Sequence, residues 1–374
     1  MLKKNVTVAA VGVLILGNLM HLAKNGELFT KKVDRDSLEN AYRQSQYQKP
    51  NSVVWMDDPE LFTLAGIRYI HGEDPSSINF EHQPLSKYIF GVATSVFGNP
   101  LPAQIVAGTL ALILYFYCGT LLFKNRFTAL VPVFLLNIDG LFLEQLKKVY
   151  LDLIQLTLLL TFFILLYHST QGKKQRNTMI VLGLFALNKS FLIGSLAFLA
   201  GLVFFWFVNP SHILTYVKNL SWSLITYLGG YSVFFLYHQP LDFLRLHLKI
   251  IRLYRSYVPE YPKSELVRLI FTGKQRRWFG DFSLMATPAW SIMWPTSAIV
   301  GLASIRTLLR SKNKFALLLY IWVILYLIAL SSRLIFPRYF LLLFPPLYLL
   351  AVYEIENIVQ NIRCVRLGSK KQVQ

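Results

Sequence analysis

The sequence predicts an all-α, polytopic membrane protein with about ten transmembrane helices. Three observations carry that prediction. Of the 374 residues, 54% are hydrophobic and only 15% are charged, against about a quarter charged in a soluble domain. The apolar residues come in long runs, such as Leu153 to Tyr167 and Phe315 to Leu330, and not at amphipathic spacing. Such runs approach the length that crosses a bilayer. Basic residues also recur in short loops on alternate sides of these runs.

The first expected span, 6–23, follows Lys3-Lys4. No clean small-x-small cleavage site follows it, so it reads as an uncleaved span and not a signal peptide. Further spans are expected at 101–123, 127–143, 149–168, 178–189, 191–208, 220–238, 292–310, 315–332 and 335–353. Asn188-Lys189-Ser190 divides the 178–208 stretch, because ionisable residues avoid the bilayer centre. Lys124 and Arg126, Lys174 and Arg176, Lys218, Arg306 to Lys314 and Arg363 to Lys371 then share one side with Lys3-Lys4. By the positive-inside rule both termini are cytoplasmic. The expectation is a multi-pass plasma-membrane protein with one integral domain, 1–353, and a short basic tail, 354–374.

Two long loops, 24–100 and 239–291, fall on the outer side. The first holds ten acids and eight bases. Pro59 to His71 reads as an amphipathic helix, with Leu61, Leu64, Ala65 and Tyr69 among its apolar positions. Tyr88 to Phe97 is too short to span and suits a helix in the interface. The second loop carries nine bases and four acids, with Tyr254 and Trp290 among its aromatics and Trp294 just beyond it. Aromatics with bases suit the headgroup region and membrane lipids. Topology therefore accounts for a net charge of +19 that would point to nucleic acid in a soluble chain, and no nucleic-acid partner is expected. Cys118 and Cys364 make no metal or disulfide spacing. The seven His form no ligand set, and no P-loop or G-x-S-x-G elbow occurs.

The residues left for chemistry lie in the outer loops. Asp58-Pro59-Glu60 reads as a helix start, with Asp58 as cap, Pro59 at the first helical position and Glu60 in the first turn. Capping leaves Asp57 over, a carboxylate able to accept a proton from a hydroxyl nucleophile. In His82-Gln83-Pro84-Leu85-Ser86-Lys87, Pro84 opens the interfacial helix, His82 suits a polar substrate, and Lys87 suits a phosphate or a snorkelling role. Asp152 opens an apolar run, which is costly unless it is paired or faces a cavity; Lys147 and Lys148 are the expected partners. Arg333 and Arg338 bracket the last outer loop, as snorkelling anchors or as forks for phosphate oxygens.

These residues resemble the protein O-mannosyltransferases and their prokaryotic relatives. The likeness runs through Asp57-Asp58, Phe62, Ala65, Tyr69, Gly72 and His82-x-Pro-Leu-x-Lys87, where the family has an Asp-Glu pair and His-Pro-Pro-Leu-Gly-Lys. Lys147-x-x-x-x-Asp152 is similar to an Arg followed five residues later by an Asp. Gly183-Leu184-x-x-Leu187-x-Lys189 is similar to a Gly-rich span ending in Thr-Lys, and Arg338-Tyr339-Phe340 with Pro345 resembles the last-span signature. Asp58, Gln83, Ser86 and Lys147 depart from the family residues. The resemblance implies a GT-C-type glycosyltransferase fold, with a hexose such as mannose passing from a polyprenyl-phosphate donor to a protein, glycan or lipid hydroxyl at the outer face. It implies Asp57 as the base with Asp58 beside it, and His82, Lys87, Lys147, Asp152 and Arg338 as substrate-binding residues. No cofactor is expected to be required, and a divalent metal stays open. The rival readings are a transporter or lipid flippase, which shares the spans, and a protein of the same fold without activity.

Overall fold

A computed structural model describes residues 2–49, 51–172, 174–256, 264–277, 283–332 and 335–371. The chain packs as two compact units. One comprises Met1–Ile15, Leu112–Leu141 and Pro262–Gln374; the other comprises Leu16–Ala111 and Phe142–Tyr261.

Helix is the dominant element, as the composition predicts. Among the described residues four helices are long and apolar enough to cross a membrane: Leu101–Leu122, Asp152–Ser169, Phe191–Val208 and Lys314–Ser331. A fifth arises if Arg126–Ile138 and Gly140–Lys147, bent by 58° at Asp139, count as one span. The expected ten are thus not matched by helices of spanning length. Gln175–Asn188 has only 14 residues, and the 220–238 and 292–310 stretches are each broken into two helices. A hydropathy run registers apolarity and is blind to interruptions such as Gly230 and Ser304 that end a helix. Side-chain caps fix several starts: Asn125 accepts from the Phe127 N–H and Asn313 from the Ala316 N–H.

In the Leu16–Ala111 and Phe142–Tyr261 unit, helix Asp58–Ile70 lies against helix Leu85–Phe97. The contact is backbone to backbone. A Cβ on Gly66 would stand 2.7 Å from the Gly91 nitrogen, and one on Gly91 would collide with the Gly66 carbonyl. The expected amphipathic helix is in fact buried on most of its circumference, with eight of its 13 residues inside. Tyr42, Met56 and Ile78 cover the flank that would otherwise meet solvent. Gly98, at φ +72°, closes the second helix in a left-handed cap. Helix Gln175–Asn188 packs on Asp152–Ser169, Phe191–Val208 and Leu220–Gly229.

In the other unit, Met293–Ala303 and Arg126–Ile138 pack on the long Phe344–Lys371 helix, which continues through the segment expected as a tail. Asp139, buried at the bend, accepts from the Leu141 N–H at 2.7 Å, the Trp294 indole at 3.3 Å and the Tyr348 hydroxyl. An antiparallel pair departs from the all-α expectation: Lys274–Arg276 with Leu284–Ala286, Gln275 opposite Met285. Gly273, at φ +67°, ends helix Glu265–Thr272 and turns the chain into it.

The glycine crossing has a direct test. Gly91→Leu is expected to destabilise the protein by about 1–3 kcal/mol or more through overpacking. Gly229→Ala, where an added Cβ meets nothing within 4 Å, should shift stability by less than about 0.5 kcal/mol. Thermal unfolding in detergent compares them.

Candidate functional site

Six of the seven expected site residues fall in the Leu16–Ala111 and Phe142–Tyr261 unit; Arg338 belongs to the other. The carboxylate pair stands at the start of helix Asp58–Ile70, but the capping roles are the reverse of those expected. Asp57, in extended conformation, is the cap, and its Oδ1 accepts from the Glu60 N–H at 3.1 Å. Asp58 is already helical. Asp57 is exposed and Asp58 is half-buried. The argument that capping consumes Asp58 and leaves Asp57 over therefore fails. Two adjacent Asp residues offer the same side chain, and only backbone geometry decides which one caps.

Asp58 faces a charged cluster that includes a residue the sequence reading missed, Glu81. The charges of Glu81 and Asp58 both act on Lys87, and Asp58 also acts on Glu81. Burial pushes the Glu81 carboxyl above its usual range; the Lys87 charge and a hydrogen bond from Asn79 work against that rise. Its only sequence signal was its place next to His82.

Lys87 is fully buried. Its Nζ donates to the carbonyls of Asn79 at 2.6 Å and His82 at 2.5 Å, and reaches the Tyr69 hydroxyl at 3.5 Å. The ammonium thus ties the 79–82 turn to the helix crossing. Asn79 sits at φ +48°, a left-handed conformation that Asn tolerates better than most residues. Burial draws Lys87 down to about 7, while Glu81 and Asp58 favour its charged form.

His82 is held from two sides. Its ring meets Phe62 edge-on at 5.6 Å, and its Nδ1 lies 3.3 Å from the Tyr254 hydroxyl. That hydroxyl donates to the Glu81 carbonyl at 2.8 Å. Tyr254 comes from helix Pro240–Ser256, so the second long loop packs onto the motif turn of the first. A further tie reaches the first loop from the residues just before the second: His238 Nε2 lies 2.7 Å from Asp74, and the Tyr237 hydroxyl donates to the Gly72 carbonyl at 2.7 Å.

Asp152 is buried and ion-paired, with Lys189 and not with Lys147 or Lys148. Lys148 instead pairs with Glu144 at 2.7 Å. The Asp152–Lys189 pair is fastened to the motif turn by the Gln83 N–H donating to the Lys189 carbonyl at 3.4 Å. Alongside runs a buried amide chain. Ser86 donates to Asn188, whose Nδ2 donates to the Leu151 carbonyl at 3.0 Å and Gln155 Oε1 at 2.6 Å. Lys147 is half-buried and makes no hydrogen bond or ion pair among the described residues. The Arg338 guanidinium lies 5.2 Å from the Phe336 ring centroid and 5.8 Å from that of Tyr339; Arg333 is outside the described residues. No three His, Cys, Asp or Glu side chains gather as a metal site among the described residues.

No family model and no curated protein matches this sequence. Solved structures do. ArnT from Cupriavidus metallidurans, bound to undecaprenyl phosphate, superposes with a TM-score of 0.55 at 14% identity, over 94% of this chain and 59% of that one. The archaeal oligosaccharyltransferase AglB from Archaeoglobus fulgidus, in complex with an inhibitory peptide and a dolichol-phosphate, superposes at 0.51 and 14% identity, over 90% and 51%. The chain spans a little over half the length of these proteins and shares their fold.

Two measurements test the site's construction. The folded state holds Lys87 below its ordinary value of 10.5, near 7, so the unfolded chain binds more protons between those limits. This group's contribution makes stability rise with pH from about 7 toward 10.5. In Lys87→Met that rise should flatten, and at pH 8 the orphaned carbonyls should cost about 1–3 kcal/mol. Equal pH slopes for the two proteins would refute the assignment. Separately, Lys189→Met should cost about 3–5 kcal/mol by stranding Asp152, and adding Asp152→Leu should recover much of that loss.

Proposed function

We propose that this protein transfers a hexose, such as mannose, from a polyprenyl-phosphate donor to a hydroxyl of a protein, glycan or lipid at the outer membrane face. The observation that carries this reading is the Asp57-Asp58 pair at the start of a buried helix, with Asp58 coupled to Lys87 and Glu81 beside the His82 turn. It stands within a fold shared with proteins solved with undecaprenyl phosphate and dolichol-phosphate.

The chemistry is a single displacement with inversion. The acceptor oxygen bonds to the anomeric carbon as the bond from that carbon to the phosphate oxygen breaks. The acceptor proton passes to a carboxylate, and the polyprenyl phosphate leaves as an anion. Asp57 is the proposed base: its cap bond uses one oxygen and fixes the rotamer, leaving the other oxygen to take a proton. Asp58, Glu81 and His82 position sugar and acceptor, and Asp152 acts through Lys189 on the turn that carries them.

The leaving phosphate needs preorganised positive charge more than a strong acid. Lys147, whose side chain makes no ion pair among the described residues, is the proposed ligand. Lys87 adds its field from within while holding the turn. No cofactor enters this scheme.

Asp57→Asn is an unusually clean test, because Asn caps a helix about as well as Asp. Unfolding should be unchanged, while transfer from a labelled polyprenyl-phosphate hexose in proteoliposomes should fall by about 10²–10⁴. Retained transfer in Asp57→Asn with loss in Asp58→Asn would move the base to Asp58. Retained transfer in both would remove the pair from catalysis.

A further inference from the structure

A polar cleft lies at the far ends of the helices that build the candidate site. Helix Asp152–Ser169 begins at the Asp152–Lys189 pair and ends at Ser169; Gln175–Asn188 runs back from Gln175 to the same pair. An 18-residue helix is about 27 Å long. At this far end an open cleft of about 410 Å³ is lined by Lys174, Gln175, Arg176, His212, Asn219 and Trp222, among others. That space holds far more than one or two waters.

The lining is built for a ligand with both anionic and polar groups. Gln175 is buried, at 7% exposure. Its Oε1 has no hydrogen-bond partner among the described residues, and neither does His212 Nδ1 or the Oγ1 of neighbouring Thr178. Buried polar atoms are seldom left so. The 14-residue helix Gln175–Asn188 opens here, and no side-chain hydrogen bond caps it. Its first N–H groups and positive dipole end therefore favour an anion. Lys174 and Arg176 are exposed beside them, and the Arg176 guanidinium lies 5.4 Å from the Trp222 ring centroid. The apolar part of the lining is Trp222, 39% exposed.

We propose that this cleft binds the phosphate group of an anionic membrane lipid. Lys174, Arg176 and the helix N-terminus take the phosphate. Gln175 and His212 meet headgroup hydroxyls, and Trp222 lies against the glycerol carbons. A free phosphate ion would use the cations but leave Trp222, and the unpartnered Gln175 and His212 atoms, without a role. The basic short loops assign this end to the cytoplasmic side, where anionic headgroups concentrate.

Native mass spectrometry of the full chain tests this, after exchange into phosphatidylglycerol or phosphatidylcholine. Lipid retention is independent of sugar transfer, so failure here is distinguishable from failure of the proposed reaction. Wild type should retain phosphatidylglycerol selectively. K174Q/R176Q should lose that adduct by at least about tenfold, and K174R/R176K should keep it. Equal retention by wild type and K174Q/R176Q, or no selectivity in wild type, overturns the proposal. So does displacement of the lipid by millimolar inorganic phosphate, which would assign the site to a soluble anion.

Discussion

Two facing glycines govern how the candidate site is assembled. With no side chain at Gly66 or Gly91, helices Asp58–Ile70 and Leu85–Phe97 meet at their backbones. Lys87 lies one turn before Gly91, and its own carbonyl is part of the contact with Gly66. That closeness buries Lys87 and brings its ammonium to the carbonyls of Asn79 and His82. The crossing thus sets the depth of the lysine, the lysine sets the 79–82 turn, and the turn sets Glu81 and His82 relative to the carboxylate pair.

Most of the remaining fastenings are polar and lie at or beside the same turn. The Ser86–Asn188–Gln155 chain and the Gln83–Lys189 bond join it to the helices beneath, while Tyr254 reaches it from the second long loop. Such networks define one arrangement when every member is satisfied. Asp152 and Lys189 are part of this framework: an ion pair in a dry interior is costly to break because either partner alone is a stranded charge.

The helical class and four of the spans were legible in the sequence because long apolar runs have few other uses. The span count was less so, because helix breaks at Gly230, Ser304 and Asp139 hardly alter local hydropathy. The motif residues could be singled out as candidates, but their neighbours could not. Asp152 finds its partner 37 residues away, not in the adjacent lysines that local reasoning favours. The cap fell to Asp57 by backbone conformation, which two identical neighbours cannot encode separately. Glu81 carried no periodic or motif signal and acquired its raised affinity for protons only on burial beside Asp58.

The helix crossing also bears on how such a site changes over evolutionary time. A contact made of side chains can be retuned by small substitutions and rotamer shifts, each tolerated in turn. A contact made of two bare backbones offers no intermediate steps, so drift at Gly66 or Gly91 is closed off. New donors or acceptors must then be accommodated by residues around the crossing, such as those of the Tyr254 helix, while the scaffold under the carboxylates stays fixed.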